Sequence, residues 1–429
     1  MELPGPDAHM EKPQPRSSGS APPGGFTPTA ESVKEGFRRK FVGEPLVFRA
    51  PGRVNLIGEH TDYNDGFVMP IALQFATWAA IGPRPDQTVH VYSENFGEEY
   101  QFSLNDIKAQ PAKHWSDYVR GVAAILQGQD NALRGANLYL AGDVPLGSGL
   151  SSSASLEVAC AFAFLGLADN EFDRLKIANA CQMAEHVYAG MKCGIMDQFV
   201  ACFARAGHAL LLDCRSLESR LLPLQQDAKI VVCNSLVKHE LASSEYNQRR
   251  KQCEAGVQAL RAHLPGISAL RDVSLEDLKR HRSALTDIVY RRCRHVCSEN
   301  WRVQEAARCL QSGDLSGFGK WMGESHRSLR DDYDVSCREL DILVEIASGI
   351  EGIWGARMTG GGFGGCTVNL VRASAVPEFK KIVRREYQRA TGRIPPIHVC
   401  SAAEGAGPAD ASGSPVEKGE SGAPCSGTT

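Results

Sequence analysis

Residues 145–155, Pro-Leu-Gly-Ser-Gly-Leu-Ser-Ser-Ser-Ala-Ser, place small side chains between a strand-like run and a helix-like one. Gly147 and Gly149 carry no Cβ to block a close approach, and Ser151, Ser152 and Ser153 offer hydroxyls beside the unpaired N–H groups of a first helical turn. With the helix dipole behind them, such groups favour an anion, so the segment reads as a phosphate cradle. The lysine of a Walker-type loop is absent, and the third glycine of a dinucleotide fingerprint is missing. The loop is therefore of another nucleotide type, or it is only a serine-rich helix cap.

Residues 50–66, Ala-Pro-Gly-Arg-Val-Asn-Leu-Ile-Gly-Glu-His-Thr-Asp-Tyr-Asn-Asp-Gly, read as a loop between hydrophobic strands that gathers Arg53, Asn55, Glu59, His60 and Asp62. Donors and acceptors at this density suit a polyhydroxylated ligand, each of whose hydroxyls needs both; a solvated surface loop is the alternative. Asp197 stands among apolar neighbours near the start of a helix-like run, so its charge needs a partner. It is either satisfied locally or serves as a desolvated base or electrostatic anchor. Glu185, on the preceding helix, is a candidate ligand for a hard cation, or a solvated helix-face residue. Residues 360–365 satisfy G-x-G-x-x-G, yet the β-branched, alternating run after them makes the glycines a link between two strands rather than a helix start. Such a link is either flexible backbone lying against a ligand or a plain turn. Cys293 and Cys297, with His295 between them, lack the second ligand pair of a zinc site.

The elements that must position these groups follow from periodicity. Helices are expected over residues 31–41, 115–127, 152–166 and 172–189, and strands over 46–50, 67–80, 89–93 and 136–140. After strands at 209–213 and 229–234 the pattern turns long and helical, over 244–263, 275–282, 286–311 and 317–329. It closes with strands at 353–359, 367–371 and 396–401 around a helix at 376–389. Residues 29–220 and 221–402 are expected as two lobes, flanked by disordered Gly/Pro/Ser-rich tails at 1–28 and 403–429. With 43% hydrophobic residues, and 47 Lys plus Arg against 50 Asp plus Glu, the chain reads as globular and nearly neutral. It carries no sign of nucleic-acid binding, no membrane span and no signal-peptide core. The fourteen cysteines, scattered through apolar stretches, read as reduced thiols.

Together these segments resemble the GHMP kinase family, and its galactokinase branch in particular, from about residue 31 to about residue 402. Residues 52–66 are similar to the sugar-binding signature, 145–155 to the ATP motif and 358–366 to the glycine-rich third motif. Residues 194–199, 242–246 and 325–333 match further galactokinase segments. The resemblance implies an α+β, two-lobed fold: an N-terminal mixed sheet with helices, C-terminal helices on an antiparallel sheet, and the active site in the cleft. It implies that Glu59, His60, Thr61, Asp62 and Tyr246 line a galactose site. Gly147, Ser148, Gly149, Leu150, Ser151, Ser152 and Ser153 would hold the phosphates of ATP, with Ser93 near the nucleoside and Ser153 and Glu185 on a Mg²⁺ ion. Asp197 would accept or orient the proton of the C1 hydroxyl, paired with Arg53. The implied reaction is phosphorylation of galactose at C1 by a cytoplasmic monomer. A kinase of N-acetylgalactosamine or arabinose, and a non-catalytic galactose and ATP sensor, stand as alternatives. The sensors of the family have an altered serine-alanine step, which is intact here as Ser153-Ala154.

Overall fold

The long apolar run Pro70–Pro83 (β3) is buried on both faces over most of its length, as a central strand must be. A computed structural model describes residues 27–107, 114–129, 131–238 and 242–409. In it β3 sits between Leu46–Asn55 (β1) and Ala136–Gly142 (β6), with Thr88–Ser93 (β4) and Glu98–Ser103 (β5) beyond β6. The β4–β6 pairing is parallel and the others antiparallel, which makes the sheet mixed. Side chains alternate across it with period two. Phe48, Ala50, Ala79, Ile81, Leu138 and Leu140 face a core shared with the helices Ser116–Gly128, Ser152–Leu167, Arg174–Ala184 and Met196–Phe203. Val47, Trp78, Ala80 and Tyr139 face the helix Ala30–Lys40 instead.

A hairpin of His208–Asp213 (β7) and Ser219–Pro223 (β8) pairs with the short Phe67–Val68 (β2) and leads to the second lobe. There Ala228–Asn234 (β9), Ile353–Thr359 (β10), Cys366–Arg372 (β11) and Ile397–Cys400 (β12) form an antiparallel sheet in the order β10-β11-β9-β12. One face of β9, through Val231 and Cys233, packs on the helices Arg338–Ser348 and Val376–Thr391. The other, through Ile230 and Val232, joins Val303 and Phe318 from the helices Asp287–Ser312 and Leu315–Ser328. That second cluster also holds Val54, Leu73, Val144 and Leu150, so the two lobes share a core.

Three expectations are corrected. Residues 50–66 are not a loop throughout, because β1 runs on to Asn55, bending at a register shift between Pro51 and Arg53. The division at residue 220 falls inside β8. Finally, the tail expected from residue 403 begins later: Gly407–Pro408 (β13) is the edge strand beside β1, and Ala406 is fully buried. Backbone hydrogen bonds fix this segment together with the burial of Ala406 and Ala409 in the core. Gly405 donates to the Ala204 carbonyl at 2.9 Å, Ala406 to Ala201 at 2.7 Å and Ala409 to Val47 at 2.9 Å. Residues 1–26 and 410–429 of the expected tails lie outside the described residues.

Candidate active site

The bend in β1 turns Arg53 toward the serine loop. Its backbone N–H donates to the Leu150 carbonyl at 3.1 Å, its Nη1 to the Gly149 carbonyl at 2.7 Å, and its Nη2 to Asp197 Oδ2 at 2.7 Å. Asp197 occupies the first turn of the helix Met196–Phe203, so the helix dipole and Arg53 both favour its negative charge. Ser151 sits at the start of the helix Ser152–Leu167 in a left-handed conformation, φ 62°. A non-glycine residue held there costs on the order of 1–3 kcal/mol and persists only when its surroundings fix it. Its hydroxyl does not cap the helix; it donates to Asp197 Oδ2 at 2.8 Å. Arginine, aspartate and serine thus form one tethered group, 8% and 21% exposed at the first two side chains.

These residues line a cleft of about 530 Å³ together with Glu59, His60, Asp62, Tyr246, Glu185 and the glycine-rich turn. Glu59 is almost wholly buried, and its Oε1 accepts from the Gly360 N–H at 2.7 Å and the Thr359 hydroxyl at 3.1 Å, 3.3 Å from the buried Arg357 guanidinium. Burial, with the neighbouring Asp197 adding to it, lifts the Asp62 carboxyl from 3.8 to about 7. Tyr246 packs against His60 with ring centres 5.2 Å apart. Thr61 lies behind the wall rather than in it: the fully buried hydroxyl is 2.7 Å from the Phe67 carbonyl and 2.9 Å from that of Gly58. It shapes the loop.

Within the serine loop, the expected binding residues divide. Gly147, Gly149, Ser151, Ser152 and Ser153 line the cleft. The Ser148 hydroxyl instead donates to the Pro145 carbonyl at 2.6 Å, and Leu150 is 1% exposed in the shared core, so neither side chain lines the cleft. Ser93 opens onto an adjoining cavity of about 130 Å³, lined by Asn95, Phe96, Trp115, Tyr118 and Leu156 and sharing Ser152 and Ser153 with the cleft. An aromatic slot next to a phosphate cradle suits a nucleobase.

Glu185 opens the π-helical turn Glu185–Ala189, a local bulge of the kind often found at functional sites. Burial first and Asp197 second raise its carboxyl from 4.5 to about 7, while Ser153, Cys193 and Gln198 act to lower it. Although Gln198 Nε2 donates to Glu185 Oε2 at 2.7 Å, this carboxylate has Asp197 as a like charge and a serine hydroxyl beside it, oxygen donors that fit a hard divalent cation, which would offset the repulsion. Lys238 gives no sign of itself in the sequence. It borders the cleft, and a Cβ on Gly147 would lie 3.3 Å from its Cε and 3.7 Å from its Nζ, so its ammonium reaches the loop that lacks a lysine of its own. A lone lysine so far along the chain carries no local signal. Arg357, an ordinary strand residue by sequence, is hidden for the same reason.

Fold and cleft together define a GHMP kinase. Family models for the "GHMP kinases N terminal domain" and "GHMP kinases C terminal" match residues 117–205 and 306–389. A mevalonate kinase of known structure superposes with a TM-score of 0.57 at 19% identity, over 84% of this chain and 100% of its own, a likeness of fold alone. Within that class the chain belongs to the galactokinase family. The "Galactokinase galactose-binding signature" model matches residues 35–83. The galactokinase of Roseiflexus sp. is 47% identical over 376 residues, covering 87% of this chain and 96% of its own. That of Chloroflexus aggregans is 50% identical over 377 residues, with the same coverage of both chains. The crystal structure of Lactococcus lactis galactokinase complexed with galactose superposes with a TM-score of 0.85 at 34% identity, over 88% of this chain and 98% of that one.

Proposed function

We propose that this protein transfers the γ-phosphoryl group of ATP to the anomeric C1 hydroxyl of D-galactose, giving galactose 1-phosphate and ADP. The observation that carries this reading is the carboxylate of Asp197, tied to Arg53 and to Ser151 where the serine loop meets the wall formed by Glu59, His60, Asp62 and Tyr246. The solved relative carries galactose in a homologous fold, which favours that sugar.

Phosphoryl transfer needs little covalent work from a protein; alignment and neutralised charge supply most of the acceleration. The N–H groups at the start of the helix Ser152–Leu167, with Lys238 beside Gly147, would draw the phosphates into the cradle. Asp62 and Glu59 would accept from sugar hydroxyls and fix which configuration fits. Asp197 would orient the C1 hydroxyl and receive its proton as the new oxygen–phosphorus bond forms and the bond to ADP breaks. Arg53 would hold Asp197 in place and balance charge on the transferring group. Ser153 and Glu185 would hold Mg²⁺, which when bound supplies charge neutralisation at the phosphate oxygens.

The unpaired cysteines among the described residues favour a reducing compartment such as the cytoplasm. No described helix is long and apolar enough to cross a membrane.

The test is turnover with ATP and galactose, glucose, N-acetylgalactosamine or arabinose, with the phosphate then located on the product by ³¹P NMR. Galactose should be preferred, with phosphate at C1; preference for another sugar, or phosphate elsewhere, overturns the reading. Asp197→Ala should keep ATP affinity and lose roughly 10²-fold or more of kcat, the usual weight of a positioned acid–base group. Near-normal turnover in that variant removes Asp197 from the mechanism. Lys238→Ala should raise the KM for ATP and lower kcat by roughly tenfold, leaving the KM for galactose in place. A change confined to galactose would place Lys238 elsewhere.

A further inference from the structure

Taking the cleft as a galactose site, we propose that His60 is a positioning residue that ties the sugar loop to the glycine-rich turn. Its tautomer is set by a one-way hydrogen-bond chain through Tyr63 and Tyr333. The direction of the chain follows from which groups can only accept. His60 Nε2 lies 3.2 Å from the Gly361 carbonyl oxygen, which has no hydrogen to give, so Nε2 carries the hydrogen. Burial, with His295, Arg249 and Arg357 nearby, pushes the pKa of the ring down to about 3 and keeps it neutral. Nδ1 therefore holds a lone pair, and the Tyr63 hydroxyl, 2.8 Å away, donates to it. Having given its hydrogen, Tyr63 accepts from the Tyr333 hydroxyl at 2.7 Å, and Tyr333 accepts from the Cys253 thiol at 3.1 Å. Each link has one direction once Gly361 is the end of the line.

The local backbone fits this role. His60 adopts φ 64°, a left-handed conformation uncommon outside glycine, which histidine tolerates better than most residues and which its neighbours here hold in place. Asn64 Nδ2 donates to its carbonyl at 2.9 Å, and its ring packs on Tyr333 and Tyr246, at 4.7 Å and 5.2 Å between centres. Tyr333 ends the π-helical turn Leu329–Tyr333, and Arg249 Nε donates to its carbonyl at 2.9 Å. The segment 325–333 thereby gains a role in the site, because it carries the tyrosine that orients the sugar loop from behind. Glu59 and His60 hold neighbouring peptide groups of the turn, the Gly360 N–H and the Gly361 carbonyl, so the wall facing the sugar and the turn closing the cleft move as one piece.

The test begins without sugar. In the ¹⁵N-histidine-labelled full-length protein, the His60 ring should show the neutral Nε2–H tautomer throughout the range of about pH 5.5–8, where an ordinary histidine titrates. An Nδ1–H signature, or titration in that range, overturns the chain. Tyr63→Phe removes the donor to Nδ1, whereas Tyr333→Phe leaves Tyr63 still donating. The first should raise the KM for galactose about tenfold, the weight of one buried hydrogen bond, and the second only about two- to threefold. The double variant should match Tyr63→Phe alone, with the KM for ATP unchanged in all three. Additive effects of equal size, or a parallel rise in the KM for ATP, would mean that the tyrosines only pack. If the tautomer is as stated and galactose is no substrate, the proposed reaction fails and the chain stands.

Discussion

Asp62 and Glu185 are the residues whose chemistry is most altered by their place in the fold. Both sit near Asp197, and both are lifted to about 7, from 3.8 and 4.5. A carboxyl whose folded-state pKa lies above its unfolded one binds its proton more tightly when folded. Its contribution to stability is complete at low pH and is lost as pH rises from the unfolded value toward about 7. Asp62→Asn, which cannot ionise, should therefore raise the thermal midpoint of the ligand-free protein. The gain should be near zero at about pH 4 and grow toward about pH 7, at about 2–4 °C for each kcal/mol of strain relieved. The same variant should raise the KM for galactose, because an amide is a poorer acceptor than a carboxylate. A midpoint gain that is flat with pH would show that Asp62 is not held protonated.

Irregular elements, more than regular ones, aim the site. The register shift in β1 turns Arg53, the π turns at Glu185–Ala189 and Leu329–Tyr333 place Glu185 and Tyr333, and left-handed Ser151 swings its hydroxyl to Asp197. Glycines make room where elements meet. A Cβ on Gly362, at φ 84°, would stand 2.3 Å from the Val335 carbonyl oxygen, a backbone atom that cannot step aside. At Gly194 the neighbour is the Asp62 side chain, with Oδ2 2.0 Å from the added atom. Gly194→Ala should fold, displace Asp62, and raise the KM for galactose about tenfold or more while leaving the KM for ATP unchanged. An unchanged galactose KM would mean that Asp62 does not touch the sugar. Periodicity shows the regular helices and strands well, as with Ser152–Leu167 and Val376–Thr391. It does not reveal β5, a polar edge strand of sequence Glu-Glu-Tyr-Gln-Phe-Ser, because an edge strand need bury little on either face.

Across the whole molecule, the two lobes are joined by the shared core and by the last described residues, which cross back to cover the edge of β1. A chain ending at Ala402 should lose about 2–4 kcal/mol, the weight of the few backbone hydrogen bonds made by residues 403–409. Its thermal or urea midpoint against that of the full chain measures this, and equal midpoints would make β13 dispensable. The sequence alone determined the class of the molecule and singled out most of the polar residues that line its cleft. Glycine spacing, clustered hydroxyls and a carboxylate among apolar residues are local features, and local chemistry constrains what they can bind. Tertiary structure decided which atoms face the cleft. It turned the hydroxyls of Ser148 and Thr61 inward, brought Lys238 to Gly147, set Arg357 under Glu59 and gave Tyr333 its partner in Tyr63. Such contacts join residues far apart in the chain, and no periodicity or propensity records them, because their energy exists only once the surrounding core has excluded water.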